Sequence, residues 1–215
     1  MLTNTYVGLS GLAGSGKDLF YSLLSQRVPC VRLSLADPLK EEVLRFSFEN
    51  YGIDPLTCSR EEKNMIRPFL VFHGSMKRKE TSGRYWIDKI NNKIIKNKIT
   101  NSIVVITDIR YDDYEKDETF WLKNELRGVL VHITLLEERA GVLSPIPAIN
   151  KEEERNDPKI KDKADFKITW PRLKNLSPSA SDIYVNEFIS WLSARKDRPA
   201  TCEKTQEQAV RGQLP

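Results

Sequence analysis

Residues 11–18 read GLAGSGKD, and this stretch constrains the fold more than any other part of the chain. Gly11, Gly16 and Lys17 meet the phosphate-loop (P-loop) pattern G-x-x-x-x-G-K-S/T up to its last position, where Asp18 replaces the usual hydroxyl residue. A β-rich run, TYVGLSG, precedes the loop, and the apolar residues of KDLFYSLLSQR follow it at helical spacing. The pattern therefore predicts a strand, a glycine loop and a helix, the setting in which backbone N–H groups cradle phosphate.

The rest of the chain alternates predicted strands with predicted helices. Further strands are predicted at 30–35, 102–108, 128–136 and 165–169, and helices at 38–51, 60–72, 86–98, 117–126 and 181–195. This alternation favours an α/β fold with about five parallel strands flanked by helices. Ligands of such sheets bind at the carboxyl ends of the strands.

Length and composition predict one domain with two less regular parts. The 215 residues, 40% of them hydrophobic, are enough for one substantial core, and we expect a single domain over residues 1–196. Within it, residues 139–163 are rich in proline and charge, which predicts a mobile lid or a disordered insertion. Residues 197–215 lack a periodic apolar face and are predicted to be a disordered tail.

Charge and cysteine content narrow the class of protein. The net charge of +4 is mild and its basic residues are scattered among acids, which favours small anionic ligands over a nucleic-acid partner. Three cysteines without paired spacing predict free thiols in a reducing compartment. The start of the chain lacks the features of a signal peptide and no apolar run could cross a bilayer, so we expect a cytoplasmic protein without a membrane partner.

The loop residues predict a binding site for a nucleoside triphosphate. Lys17 would reach the β- and γ-phosphates. Asp18 could ligate magnesium directly or through water, or it could complement the dipole of the helix, and the two roles are compatible. The predicted donor-binding residues are Gly11, Gly14, Ser15, Gly16, Lys17 and Asp18.

Four further motifs follow the loop in order. They are LADPLKEEV at 35–43, IRPFLVFHGSMKRKETSGRYWIDKI at 66–90, VVITDIRYDDYE at 104–115 and ADFKITWP at 164–171. With GLAGSGKD they resemble the deoxynucleoside monophosphate kinases of tailed bacteriophages, within the wider P-loop nucleoside-monophosphate kinase group. The resemblance covers most of residues 5–171. It implies a P-loop kinase fold with a mobile lid, and it implies ATP as phosphoryl donor together with Mg²⁺. The implied substrates are nucleotides, and the implied location is the host cytoplasm. The resemblance is also compatible with a homodimer.

The resemblance also implies an acceptor site at residues Asp37, Lys40, Arg67, Arg84 and Trp86. Arginine matches the geometry of a phosphate, and an aromatic ring offers a base a stacking surface. The residues alone leave other roles open: a helix cap for Asp37, a solvated side chain for Lys40, surface arginines, and a core position for Trp86. The neighbouring basic residues 77–79 are interpreted as a solvated loop.

Three residues are predicted to act at the transferred phosphoryl group. Asp108, at the end of a buried strand, would hold magnesium through water or orient the substrate, and Arg110 would neutralise charge on the transferring group. Arg139 follows the strand at 128–136 and would close from the lid, as the resemblance implies. The chain departs from the family where DIRYDDYE replaces the usual DVRF-P-N-E, with Glu115 one place late. It also departs where the lid stretch NKEEERNDP (150–158) has neither the His nor the Ser that the family's lid often carries.

These residues together predict an ATP- and Mg²⁺-dependent kinase that converts nucleoside or deoxynucleoside 5′-monophosphates to diphosphates for DNA synthesis. The predicted catalytic residues are Lys17, Arg110 and Arg139, and the predicted metal ligands are Asp18 and Asp108. One alternative keeps the fold and changes the acceptor to another small metabolite, such as phosphomevalonate or shikimate. Another is a nucleotide-binding switch or ATPase, which would hydrolyse ATP without depending on an acceptor.

Overall fold

The computed structural model describes residues 4–96, 99, 102–172 and 178–196. The chain divides into two compact units, residues 1–173 and 174–215. The first contains the whole sheet, and the second contributes one described helix, α7 (Pro178–Lys196). The single domain expected over residues 1–196 stays a prediction, and the expected disordered tail lies outside the described residues.

The first unit alternates strands and helices. Its strands are β1 (Thr5–Ser10), β2 (Cys30–Leu33), β3 (Ile103–Ile106), β4 (Val129–Arg139), β5 (Val142–Pro145) and β6 (Phe166–Pro171). Its helices are α1 (Lys17–Ser25), α2 (Ala36–Tyr51), α3 (Arg60–Glu80), α4 (Arg84–Lys96), α5 (Glu118–Phe120) and α6 (Lys151–Asp162). Helix α5 continues directly into a π-helical turn, Trp121–Glu125. None of the helices in the described ranges is long and apolar enough to cross a membrane.

The sheet is mostly parallel. Five parallel strands run in the order β2-β3-β1-β4-β6, and β5 pairs antiparallel with the last residues of β4. This arrangement confirms the α/β fold with a parallel sheet flanked by helices. Strand β5 was not predicted. It forms because Ala140 and Gly141 both have positive φ (50° and 78°), which closes a two-residue hairpin turn after Arg139.

The core explains why β3 reads as a continuous apolar run. Val104, Val105 and Ile106 are all buried, as expected of a central strand covered on both faces. Trp121 and Ile87 belong to the same buried cluster as Val104 and Ile106. The strand order brings the carboxyl ends of β1, β2 and β3 together at one edge of the sheet.

Two segments differ from the expectations. The basic stretch that was predicted to separate two helices instead continues α3 as far as Glu80, and its Gly74 lies beside Leu39 of α2. In the predicted lid, α6 is preceded by its N-cap Asn150, whose side chain accepts a hydrogen bond from the N–H of Glu153 (2.8 Å). Residues 151–162 are therefore an ordinary capped helix rather than a disordered insertion, and their role as a lid stays a prediction.

Candidate phosphate-binding site

The P-loop connects β1 to α1 and packs against two other strands. Gly11 has φ +125°, and a Cβ there would lie 2.2 Å from the carbonyl oxygen of Ile133 in β4. Gly16 has φ +97°, and a Cβ there would lie 2.6 Å from the indole ring of Trp170 in β6. Both glycines are therefore required by backbone conformation and by space. Trp170 has no role in the sequence prediction, although it stands in the motif ADFKITWP.

Lys17 is folded over the loop. Its Nζ donates to the carbonyl oxygens of Gly11 (2.7 Å) and Leu12 (2.9 Å), and the residue is only 8% exposed. Burial, with a smaller contribution from the Arg110 charge, lowers the pKa of Lys17 to about 8. A phosphate entering the loop would replace these carbonyl groups as the partner of the ammonium group.

Asp18 follows in the first turn of α1 and points toward solvent. Its side chain is 89% exposed, with Oδ1 4.0 Å from Nη2 of Arg32. Among the residues that the structure describes, no three or more His, Cys, Asp or Glu side chains form a metal-binding group. Magnesium in nucleotide sites takes one or two carboxylates together with substrate phosphates, so an accessible carboxylate beside Lys17 fits such an ion.

Asp108 ties the end of β3 to the start of α2. Its Oδ1 accepts from the N–H of Leu35, and its Oδ2 accepts from Ser34 Oγ and from the N–H of Ala36, each at 2.8 Å. Asp108 therefore satisfies the first N–H groups of α2, the capping role that the sequence left open for Asp37. Asp37 instead pairs with Arg32 (3.3 Å) and Lys40 (3.7 Å).

One cavity of about 230 Å³ joins the P-loop to α3. It brings together seven of the predicted site residues: Lys17, Asp18, Lys40, Arg67, Trp86, Asp108 and Arg110. Asp37 reaches its edge through the ion pairs with Arg32 and Lys40, which both line the cavity. The loop and the acceptor-side residues thus face the same space.

The cavity lining is rich in cations, with Lys40, Lys63, Arg67 and Arg110 all contributing. Partial burial and the neighbouring charges of Lys40, Arg67 and Arg110 lower the pKa of Lys63. The same Arg110 also lowers the pKa of Lys17, so its charge acts on lysines of both the P-loop and α3. Cations that repel one another in a concave site are a favourable environment for an anion.

The cavity also has an apolar wall. Leu39, Leu70 and Val71 contribute aliphatic surface, and Trp86 and Tyr111 contribute aromatic rings. Trp86 is only 4% exposed and its indole N–H donates to the carbonyl oxygen of Gly74 (3.2 Å). Trp86 is therefore a core residue that forms part of the cavity wall, and its role in stacking on a base stays a prediction.

The structure adds a buried group that the sequence analysis missed. Arg78, interpreted as part of a solvated loop, is 5% exposed and lines the cavity. Its guanidinium donates to both carboxylate oxygens of Asp117 (2.8 and 3.0 Å) and to Glu118 (3.0 Å), and it lies 3.9 Å from the centre of the Tyr111 ring. Although burial lowers the pKa of Arg78, the two acids outweigh it and raise that pKa. No local sequence signal marks this pairing across about forty residues.

Arg84 and Arg139 do not line the cavity and make ion pairs elsewhere. Arg84 pairs with Glu125 (2.8 and 3.0 Å) and Asp88 (3.4 Å) on the outside of α4. Arg139 ends β4 and pairs with Glu137 (3.2 Å). The roles of both arginines in binding or catalysis stay predictions.

A glycine loop after the first strand of a parallel sheet, with its lysine folded over it, defines an α/β P-loop fold. No protein-family model matches the sequence, and no curated protein matches it significantly. Among solved structures, a shikimate kinase from Acinetobacter baumannii in complex with shikimate is similar, with 12% identity and a TM-score of 0.41 over 92% of this chain and 97% of that chain. A similarity this low assigns no substrate, and the class rests on the loop geometry and the strand order.

Proposed function

We propose that the protein is a kinase that transfers the γ-phosphoryl group of ATP, with Mg²⁺, to a nucleoside or deoxynucleoside 5′-monophosphate. The products are ADP and a nucleoside diphosphate, a precursor for DNA synthesis. The observation that carries the proposal is the single cavity that joins Lys17 of the P-loop to the cations of α2 and α3, with an apolar wall between α2, α3 and α4. Both reacting groups are phosphates, and both ends of the cavity are suited to them.

At the donor end, the N–H groups of residues 11–16 and the ammonium group of Lys17 would bind the phosphates of ATP. Asp18 would hold Mg²⁺ together with the phosphate oxygens. Asp108 would act through a water molecule, because its two oxygens already accept three hydrogen bonds. The ion would neutralise charge between the β- and γ-phosphates.

At the acceptor end, Arg67, Lys63 and Lys40 would bind the monophosphate. A guanidinium can make two parallel hydrogen bonds to phosphate oxygens, which fixes the orientation of the acceptor. The base would lie against the apolar wall that includes Trp86 and Tyr111. Asp37 would keep Lys40 and Arg32 in place through its ion pairs.

The chemical step needs positioning and charge neutralisation more than proton transfer. An oxygen of the acceptor phosphate, already anionic at neutral pH, forms a bond to the γ-phosphorus, while the bond to the β–γ bridging oxygen breaks and ADP leaves. Arg110 would neutralise charge on the transferring group, and the effect of its charge on both Lys17 and Lys63 supports this role. Arg139 would join it by closure of the segment at 139–163, and Arg84 has no part in this proposal.

The test is a product assay over a panel of acceptors. The purified protein is incubated with ATP, Mg²⁺ and one acceptor at a time: each common nucleoside and deoxynucleoside monophosphate, phosphomevalonate or shikimate. ADP and phosphorylated acceptor are measured together. We expect nucleoside diphosphate and ADP to form in equal amounts, and only with monophosphates that carry certain bases.

Other outcomes decide against the proposal. Phosphorylation of shikimate or phosphomevalonate alone would make the protein a kinase for another metabolite, and ADP without acceptor dependence would make it an ATPase or switch. Lys17→Ala should abolish the transfer, whereas Lys93→Ala, which removes an exposed lysine of α4 paired with Glu41, should not.

A further inference from the structure

The loop that carries Arg110 is held by side chains at five consecutive backbone N–H groups. The N–H groups of Arg110 and Tyr111 donate to Glu118 Oε2 at 2.6 and 3.0 Å. Those of Asp113 and Tyr114 donate to Asp117 Oδ2 at 2.9 and 3.3 Å. Between them, the N–H of residue 112 donates to Oδ1 of Asn156 on α6 at 3.2 Å.

Arg78 of α3 holds the two acids in place. Its Nη2 bonds both oxygens of Asp117 and its Nη1 bonds Glu118 Oε1, so each carboxylate keeps its Oδ2 or Oε2 directed at the loop. The side chains of the three residues are 6%, 0% and 4% exposed. Burial raises the pKa of Glu118 to about 8, and the neighbouring Asp117 adds to this, whereas the Arg78 charge lowers that pKa. Two adjacent buried acids can be ionised together only beside a cation, so the arrangement depends on the Arg78 charge.

We propose that Arg78, Asp117 and Glu118 are positioning residues that set the place of Arg110 for phosphoryl transfer. This role rests on the proposed function. Helix α3 also carries Lys63 and Arg67, so the same helix that would bind the acceptor phosphate fixes the loop that would stabilise its transfer. In this chain Glu118 bonds the loop backbone, whereas Glu115, the acid that stands near the family's motif, is exposed.

The kinetic test compares variants that keep the shape of the network and change its charge or geometry. Arg78→Lys keeps the cation but cannot span both carboxylates, and Glu118→Gln places an amide donor toward Arg78 or toward the loop. We expect each to lower kcat about 10- to 100-fold while KM for ATP changes less than about threefold. Glu115→Gln, a matched change of an exposed acid in the same loop, should leave both constants unchanged.

A double-mutant cycle separates positioning from a general loss of structure. If Arg78 acts through Arg110, adding Arg78→Lys to Arg110→Ala should lower kcat by less than about twofold further. If the two losses multiply, Arg78 does not act through Arg110, and the proposal is wrong.

Hydrogen exchange tests the positioning without relying on the activity. In Arg78→Lys and in Glu118→Gln, the amides of residues 110 and 111 should lose about tenfold or more of their protection, while those of β3 stay protected. Unchanged protection at 110 and 111 in both variants would overturn the proposal even if the kinase assay succeeds. If the variants lose protection at residues 110 and 111 but the unmodified protein phosphorylates no nucleotide, the proposed function is wrong. The claim that these side chains anchor the loop would still hold.

Discussion

Trp170 of β6 donates its indole N–H to the carbonyl oxygen of Ser15 in the P-loop at 2.9 Å. The same ring occupies the space that a side chain at residue 16 would need. The last strand of the parallel sheet therefore packs against the phosphate loop and stabilises it, although Trp170 and Ser15 are 155 residues apart in the sequence.

Trp170→Phe removes this hydrogen bond and keeps most of the ring. We expect the free energy of unfolding to fall by about 1 kcal/mol and ATP to bind several-fold more weakly, because the loop loses its support. Denaturant unfolding and calorimetric titration with ATP measure the two effects.

Trp121→Phe is the matched control. This tryptophan is also buried, and its indole N–H donates to Asn91 (2.9 Å). Because Trp121 does not bond the P-loop, its replacement should lower stability and leave ATP binding unchanged. Equal loss of ATP affinity in both variants would contradict a specific role for Trp170.

Two loop glycines should respond differently to alanine. Gly14 has φ +82° but open space around a Cβ, so Gly14→Ala should cost only the strain of the left-handed backbone, about 1–2 kcal/mol. Gly16→Ala adds the clash with Trp170 and should destabilise the protein more and abolish ATP binding. Thermal unfolding with and without ATP compares the variants, and equal effects at both positions would contradict the packing described for the loop.

The affinity for ATP should depend on the protonation of Lys17. In the free protein burial lowers the pKa of Lys17 to about 8, and a bound phosphate would raise it again. Below pH 8 the ammonium group is already charged. Above pH 8 the side chain of Lys17 is mostly neutral and must take up a proton when ATP binds. The affinity for ATP should therefore fall by up to about tenfold per pH unit. Calorimetric titrations between pH 6.5 and 9.5 measure this, and Lys17→Ala should bind weakly with no such slope near pH 8.

The lowered pKa of Lys17 also means that this lysine destabilises the nucleotide-free protein. A lysine whose pKa is lower in the folded state than in the unfolded state opposes folding below pH 8, and the penalty is relieved as the pH rises from about 8 to 10.5. Lys17→Met should therefore raise the free energy of unfolding at pH 7 without nucleotide, by up to about 3 kcal/mol, and the gain should shrink with rising pH. Denaturant unfolding at pH 7 and pH 10 tests this, and a destabilised Lys17→Met protein at pH 7 would contradict it.

Arg67→Ala should affect the acceptor and spare ATP. Loss of a charged hydrogen-bond donor to phosphate costs about 1.5–3 kcal/mol, so KM for the acceptor should rise about 10- to 100-fold. Steady-state kinetics with each substrate varied in turn measure the effect. Arg45→Ala, which removes an exposed arginine of α2 paired with Glu49 (2.8 Å), is the control and should change neither KM. A rise in KM for ATP alone would place Arg67 at the donor instead.

The sequence predicted the parts of this structure that depend on local pattern. The glycine loop, the buried β3 run and the helix that ends at Gly52, which has φ +67°, follow from periodicity and glycine placement. Seven of the predicted site residues line one cavity. Four of them follow β1 or β3, whose carboxyl ends share an edge of the sheet, and three lie on helices α2, α3 and α4, which pack against one another.

The rest depends on contacts between distant residues. Arg78 looks like one member of a basic surface run, and only the fold brings it to Asp117 and Glu118. The sequence predicts Asp108 as a metal ligand, which stays a prediction, and only the fold shows that Asp108 caps α2. Arg84 lies on the outside of α4 because Glu125, 41 residues later, is within reach of its guanidinium.

The measurement that tests the central claim most directly is the binding of a bisubstrate analogue, adenosine joined through five phosphates to the nucleoside of the preferred acceptor. If one cavity joins donor and acceptor, the analogue should bind at least about tenfold more tightly than ATP or the monophosphate alone. Both Lys17→Ala and Arg67→Ala should weaken it. An analogue that binds no more tightly than ATP, and that Arg67→Ala does not affect, would contradict the claim that the two phosphates meet in this cavity.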